Sequence, residues 1–495
     1  MPHLFKQSAI RAAAMVAVKL FGLAGRIILT RIAGAEGIGL YQIAYSFYGF
    51  ILMLAGGLPT ALALETARKP AQGWQFLKIV AVLLMFGGGA ASLVVFRYSP
   101  SLSTLLGNPG LEHALHSLAP ALFAAPLLGL LRGYLQGLGR ISIIALSEVT
   151  EQAVRVTCMV LITAQLLPLG MNQAVGGGLY GTFLGAFVSF SLLTIYLSLD
   201  THSPRPQGRS KVLPVTIFFK TSLVISMTRM FIPASEFIDA LLVPSRLLAA
   251  GHSTSEATAM YGVIYGMAAI VVYAPTLVTG ALSHTLSVRI AAEWQQGTLE
   301  KFNHLASLAL KISWLWGIAS GLFLFVHADM LSILIFNTTA ATAPIKYLAS
   351  IPLLVGFREL TTSILWAQDV KKAPFWGLLS GLACSTFTQY MLVGIPGFGY
   401  AGAAIAIVSM ELVSSLWNLK ALHIHKRKLH GILLLMLCDI GILLLAAAGA
   451  SRCRQLLQGL FSELWIFMLE SILFFLVAGL YFYLRCFYGG KFRRS

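Results

Sequence analysis

Fourteen apolar stretches, each near the length that crosses a bilayer as a helix, follow one another along this chain with only short polar joints between them. They begin near Ala12, Ile38, Phe76, Ala114, Ile141, Val175, Leu213, Ala259, Leu305, Ala343, Ala373, Phe398, Leu429 and Glu463. Lipid offers no partner for a backbone N–H or C=O, so each stretch must satisfy its own polar backbone as a helix or join a closed barrel. The runs lack the in-out alternation over about 10 residues that marks a barrel strand, which leaves helices. With 57% hydrophobic and 11% charged residues among 495, the chain has too little polar surface for a soluble globule. The expected fold is an all-α integral membrane protein of about fourteen transmembrane helices.

Lys6 and Arg11 precede the first apolar run, which ends near Ala33, Gly34 and Ala35 in the manner of a cleavable leader. That reading fails because the run is long and contains Lys19 and Arg26, so a retained first span is expected. Most of the 35 lysines and arginines fall on one side when the N-terminus is placed inside, among them Arg68, Lys69, Arg140, Lys301, Lys371, Lys372 and Lys426 to Lys428. The opposite loops hold Arg31, Arg97, Arg246, Arg452 and Arg454. Both termini are therefore expected in the cytoplasm, and the net charge of +17 reflects topology rather than nucleic-acid binding. Cys158, Cys384, Cys438, Cys453 and Cys486 are scattered singly, with no disulfide framework, metal spacing or cofactor motif.

The longest polar connection, Asp200 to Lys211, divides the chain, and the helices after it repeat those before it. In the second helix of each half, Tyr41 and Tyr45 lead to Pro59-Thr60, as Tyr261 and Tyr265 lead to Pro275-Thr276. In the fourth, Pro120, Tyr134, Gln136 and Arg140 answer Pro352, Trp366, Gln368 and Lys372; in the sixth, Gly178 and Gly181 answer Gly399 and Gly402. An even number of spans per half makes this a parallel repeat of the kind found in transporters. The expected domains are a six-helix lobe over 1–200, a cytoplasmic linker over 201–212, a second six-helix lobe over 213–421, and two further helices with a basic tail over 422–495.

Lys19 and Arg26 stand seven residues apart on nearly one face of the first helix, with no acidic residue there to neutralise them. A charge near the bilayer centre costs roughly 2.5 to 3.5 kcal/mol even on lenient insertion scales, so the pair is expected to face a wet cavity and an anionic ligand. Arg132 and Arg229 also lack an acid three or four positions away, although Arg132 is near a helix end where it can snorkel. Arg155 has Glu151 one turn before it, which predicts an intrahelical pair, and Arg358 has only its neighbour Glu359. All five cations Lys19, Arg26, Arg132, Arg155 and Arg229 are candidate substrate ligands.

Glu236 and Asp239, between Pro233 and Pro244, are candidates for a coupling sodium ion or proton, with Gln389 as a further oxygen ligand; pairing of Asp239 with Arg229 or Arg246 is the plainer alternative. Glu148, Glu411, Asp439 and Glu470 are expected to be partners between helices. Pro59 and Pro275 are hinge candidates. Tyr41, Tyr45, Phe47, Tyr48, Tyr261 and Tyr265 read as sugar-stacking residues or, more cheaply, as interface anchors. His113, His116, His423, His425 and His430 have no partner at metal-ligand spacing. The loops are short and poor in acids, which argues against an enzyme acting on lipid-linked sugars.

Four segments resemble the stage V sporulation protein B group of polysaccharide-biosynthesis flippases, within the multidrug, oligosaccharidyl-lipid and polysaccharide exporter superfamily. They are Arg26 to Tyr41 (RIILTRIAGAEGIGLY), Ile144 to Arg155 (IALSEVTEQAVR), Phe237 to Arg246 (FIDALLVPSR) and Ala281 to Ser287 (ALSHTLS). The resemblance covers the whole chain and its helix layout. It implies two lobes that alternately open a central cationic cavity, and a lipid-linked oligosaccharide or peptidoglycan precursor as cargo, in a bacterial cytoplasmic membrane. Partners would then be the lipid-linked sugar, membrane lipid and envelope-synthesis enzymes. A basic residue of the related precursor flippases matches Lys19 through the following Gly22, but it is usually arginine, whose planar fork an ammonium does not reproduce. The rival readings are a multidrug cation antiporter of the same superfamily, disfavoured by the sign of the first-helix charges, and a non-transporting scaffold for envelope assembly.

Overall fold

The computed structural model describes residues 2–200, 215–422, 429–457 and 462–488. The expected linker over 201–212, with Arg205, Arg209 and Lys211, lies outside them, as do His423, His425, Lys426 to Lys428 and the basic tail from residue 489. The described residues are helical almost throughout, with no strand among them.

They divide into two compact units, Met1–Gly266 and Met267–Ser495. The first contains α1 (Pro2–Leu54), α2 (Leu58–Arg68), α3 (Pro70–Arg97), α4 (Ser99–Leu105), α5 (Glu112–Gly137), α6 (Ile141–Leu166), α7 (Met171–Leu199), α8 (Val215–Arg229), α9 (Phe231–Ala249) and α10 (Thr254–Tyr261). The second contains α11 (Ala269–Tyr273), α12 (Thr276–Gln295), α13 (Leu299–Val326), α14 (Ala328–Phe336), α15 (Thr342–Tyr347), α16 (Ile351–Ala367), α17 (Lys372–Leu392), α18 (Gly399–Ala421), α19 (Leu429–Leu457) and α20 (Glu463–Tyr483).

Among the described residues ten helices are long and apolar enough to span a membrane, and the bent pair α8–α9 makes eleven. The fourteen expected are not all matched, for physical reasons. The run Ile10–Arg68 counts once although it has 59 residues, because helix continues through a kink at Gly34. Gly34 adopts φ 64°, a left-handed conformation that glycine reaches without a side-chain clash, and it turns the chain between the first two expected spans. At the other extreme, α16 has only 17 residues and carries both Arg358 and Glu359.

Breaks occur where glycine and proline fall. α1 ends at Leu54, and α2 restarts at Leu58-Pro59, with proline in the first turn where its missing N–H has no helical partner to lose. The backbone groups freed between them are taken up by α8: Gly57 N–H donates to Ser226 Oγ at 2.8 Å, and that hydroxyl donates to the Leu54 carbonyl at 3.1 Å. In the second unit Pro275 caps the start of α12, and Trp316 Nε1 donates to its carbonyl at 2.9 Å. The bend of 51° between α8 and α9 falls at Met230, which puts Pro233 in the first turn of α9, where it is tolerated.

The sequence repeat reappears in packing. In the first unit α2 packs on α3 and α5, α3 on α5, α5 on α7, and α7 on α6. In the second, α12 packs on α13 and α16, α13 on α16, α16 on α18, and α18 on α17, which is the same scheme helix for helix. Small residues permit the close approaches: a Cβ on Gly133 of α5 would lie 2.3 Å from the Pro59 carbonyl oxygen of α2. The buried cluster around Leu62, Phe76, Leu127 and Tyr134 forms the core of this first bundle.

Candidate functional site

The first-helix cations are set by α6. A Cβ at Gly22 would meet Gln152 Nε2 at 2.9 Å, and one at Gly25 would meet Val156 at 2.9 Å, so these glycines bring α1 against α6. Lys19 is left exposed and has no ion pair among the described residues; Arg26 is half-buried. Arg26 lies within electrostatic reach of Tyr41 and of Glu236 on α9. Its charge is thus opposed from a neighbouring helix, which the composition of its own helix conceals.

Arg155 on α6 is the hub of the site. Its Nη1 donates to the Tyr45 hydroxyl at 2.7 Å, its Nη2 donates to Gln152 Oε1, and the guanidinium stands 5.8 Å from the centre of the Tyr45 ring. Tyr45 in turn stacks on Tyr41 at 5.3 Å with 11° between planes and tilts against Tyr48 at 5.5 Å. Tyr41, Tyr48 and Tyr261 are buried, so they are not the interface anchors the sequence suggested. Tyr261 stacks on Tyr265 at 4.5 Å, repeating the Tyr41–Tyr45 pair, and lies within electrostatic reach of Asp239 and Glu236. Charges and phenols from α1, α6, α9 and α10 therefore form one polar band within the first unit.

The intrahelical Arg155–Glu151 pair is corrected by this geometry. Glu151 Oε2 accepts instead from Arg132 Nη1 of α5 at 2.7 Å, while Arg132 Nε donates to Ser147 at 2.9 Å. Arg155 is directed to Tyr45 of α1 and Gln152 of its own helix. Arg132 is occupied by protein groups, whereas among the described residues Arg229 donates only to the Thr60 hydroxyl, at 3.0 Å, beside the α1–α2 break. Gln389 is fully buried in α17 of the second unit. Pro59 and Pro275 both stand at helix breaks.

All four acids expected to act between helices do so: Glu148 with Arg11 at 3.9 Å, Glu411 with Arg358 at 2.5 Å, Asp439 with Arg485 at 3.0 Å, and Glu470 with His327 at 3.8 Å. What sequence reasoning missed is the Tyr45–Arg155 contact. The signal was present in the spacing of Tyr41, Tyr45 and Tyr48, four and three residues apart on one helical face.

A multi-pass helical membrane protein with a two-bundle repeat is thus defined by fold and charge placement. The chain belongs to the polysaccharide biosynthesis protein family, whose model it matches over residues 4–279. It is similar to stage V sporulation protein B of Bacillus subtilis (strain 168), with 28% identity over 425 residues, covering 83% of this chain and 82% of that protein. It is also similar to the lipid II flippase MurJ of the same organism, with 25% identity over 260 residues, 47% of this chain and 48% of that one. Among solved structures, an inward-facing multidrug resistance MATE family transporter of the MOP superfamily superposes with a TM-score of 0.70 at 16% identity, covering 83% of this chain and 97% of that chain, which establishes a common fold.

Proposed function

We propose that this protein is a flippase that carries a lipid-linked oligosaccharide or peptidoglycan precursor across the bacterial cytoplasmic membrane by alternating access, for cell-wall, spore-cortex or envelope polysaccharide synthesis. The observation that carries the reading is the pair Lys19 and Arg26 on one face of α1, next to the Arg155–tyrosine band, with Lys19 unpaired among the described residues. A diphosphate headgroup cannot cross hydrocarbon unaided, whereas a polyprenyl tail can stay in the bilayer. The protein must therefore supply cations to the head alone, and a cation held without a counter-ion inside a span has a reason to be there only if a ligand brings one. The likeness to a lipid II flippase supports the same class of cargo.

In this reading the lobes over 1–200 and 213–421 rock about the linker at 201–212, with 422–495 appended, and the breaks at Pro59 and Pro275 absorb the bending. Glu236 and Asp239 carry the coupling proton or sodium ion, and Glu236 opposes Arg26 when no anion is bound. No covalent chemistry is required.

The test is translocation of lipid-linked sugars in reconstituted vesicles. Lys19→Ala with Arg26→Ala should lower the rate by at least about tenfold, the loss of one to two charge-assisted contacts to phosphate. Full translocation by the double variant would sink the reading, and export of organic cations in place of lipid-linked sugar would establish the drug-antiport alternative.

A further inference from the structure

In the second unit a cleft of about 670 Å³ opens where α12 ends and α13 begins. That volume falls in the range of small-ligand sites, about 300 to 1,000 Å³. Its lining is charged in both senses. Arg289 comes from the last turns of α12, while Lys301 and His304, three residues apart, come from one face of the first turns of α13, with Glu293, Glu300 and Leu305 completing the wall.

The two carboxylates are not equivalent. Glu293 accepts from the Thr298 hydroxyl across the connecting turn. Glu300 makes no ion pair among the described residues, and neither do Arg289 and Lys301. With histidine neutral the cleft holds two cations and two carboxylates, so it has no net attraction for a simple anion. It is complementary to a ligand that carries a phosphate and an ammonium a few bonds apart.

The position of the cleft indicates where such a ligand comes from. Beneath it Ile290, Phe302 and Ile364 form a buried cluster with Trp294, Ala367 and Leu422 packed against it. Trp294 tilts on Phe302 at 4.9 Å, and both rings come from the helix ends that frame the cleft. The start of α17 carries Lys371 and Lys372, and the last turn of α18, whose following residue Leu422 packs on the cluster, carries Lys420. A cleft of mixed charge beside an apolar cluster, at the start of a helix long and apolar enough to span a membrane, suits a lipid headgroup.

We propose that this cleft binds the headgroup of an aminophospholipid, with the phosphate held by Arg289, Lys301 and His304 and the primary ammonium donating to Glu300. The site is separate from that of the cargo and independent of what the cargo is. A primary ammonium has three N–H donors, which a choline headgroup lacks, and a glycerol headgroup has no cation for Glu300.

Native mass spectrometry of the full-length protein, released from micelles containing equal amounts of phosphatidylethanolamine, phosphatidylglycerol and phosphatidylcholine, tests this without any transport measurement. Phosphatidylethanolamine should be retained about tenfold over the other two. Arg289→Gln with Lys301→Gln should abolish the excess, and Glu300→Gln should remove the discrimination against phosphatidylcholine while leaving the fold intact, since all three side chains are exposed. Equal retention of the three lipids, preference for phosphatidylglycerol, or an undiminished excess in the Arg289→Gln, Lys301→Gln protein would overturn the proposal.

Discussion

Arg358 and Glu411 illustrate what an ion pair means inside this protein. Their side chains are 16% and 6% exposed, at 2.5 Å, and Asn418 Nδ2 next to them donates to the Thr361 and Thr362 hydroxyls. Removing one partner leaves the other charged in a medium that cannot solvate it, so Arg358→Ala should destabilise the fold by about 3 to 5 kcal/mol, whereas Arg358→Met with Glu411→Leu should recover most of that loss. Thermal unfolding in detergent measures both. Lys19→Ala should leave the midpoint unchanged, since Lys19 has no ion-pair partner among the described residues to orphan; a loss as large as that of Arg358→Ala would mean that Lys19 is structural. The acids were legible in the sequence as residues needing partners, but the partners were not. Helical spacing finds only neighbours on the same helix, so it gave Glu151 to Arg155 when the arginine that reaches it, Arg132, is on α5. The same blindness hid Glu236 from Arg26 and Tyr45 from Arg155.

Helices in lipid gain nothing from hiding apolar surface from one another, so their contacts rest on shape and on polar groups that reach across. Gly133 is the sharpest case, because a methyl group there meets the backbone oxygen of Pro59 at 2.3 Å, an atom that cannot turn aside as a side chain would. Gly133→Ala should therefore force α2 from α5 and destabilise by about 1 to 3 kcal/mol. Gly87→Ala on α3, where nothing lies within 4 Å, should be neutral or stabilising by up to about 1 kcal/mol. Denaturant midpoints of the two variants in one detergent compare them directly, and equal effects would refute the packing argument. Breaks at proline were readable in advance at Pro59 and Pro275. The kink at Gly34 was not, because a glycine inside an apolar run looks the same whether it packs, caps or turns the chain. Nor could hydropathy see that α16 ends after 17 residues with a buried ion pair at its centre.

Repetition at the scale of the whole chain ties the charge asymmetry to a definite topology. The same packing scheme recurs within each unit, and the corresponding helix starts carry Arg140 in one and Lys372 in the other. Retention of lysine and arginine on the cytoplasmic side predicts that both termini lie inside. Two exposed positions at opposite ends of α13 read this out: Gln296, in the turn before it, and Thr339, after the short helix that follows it. In a background with the five native cysteines replaced, Gln296→Cys should react with a membrane-impermeant maleimide only in inverted vesicles, and Thr339→Cys only in intact cells. The opposite pattern would place the Arg289–Lys301 cleft in the outer leaflet and the basic helix ends outside. It would also overturn the expectation that the basic loops of this chain are retained in the cytoplasm, and with it the placement of both termini inside.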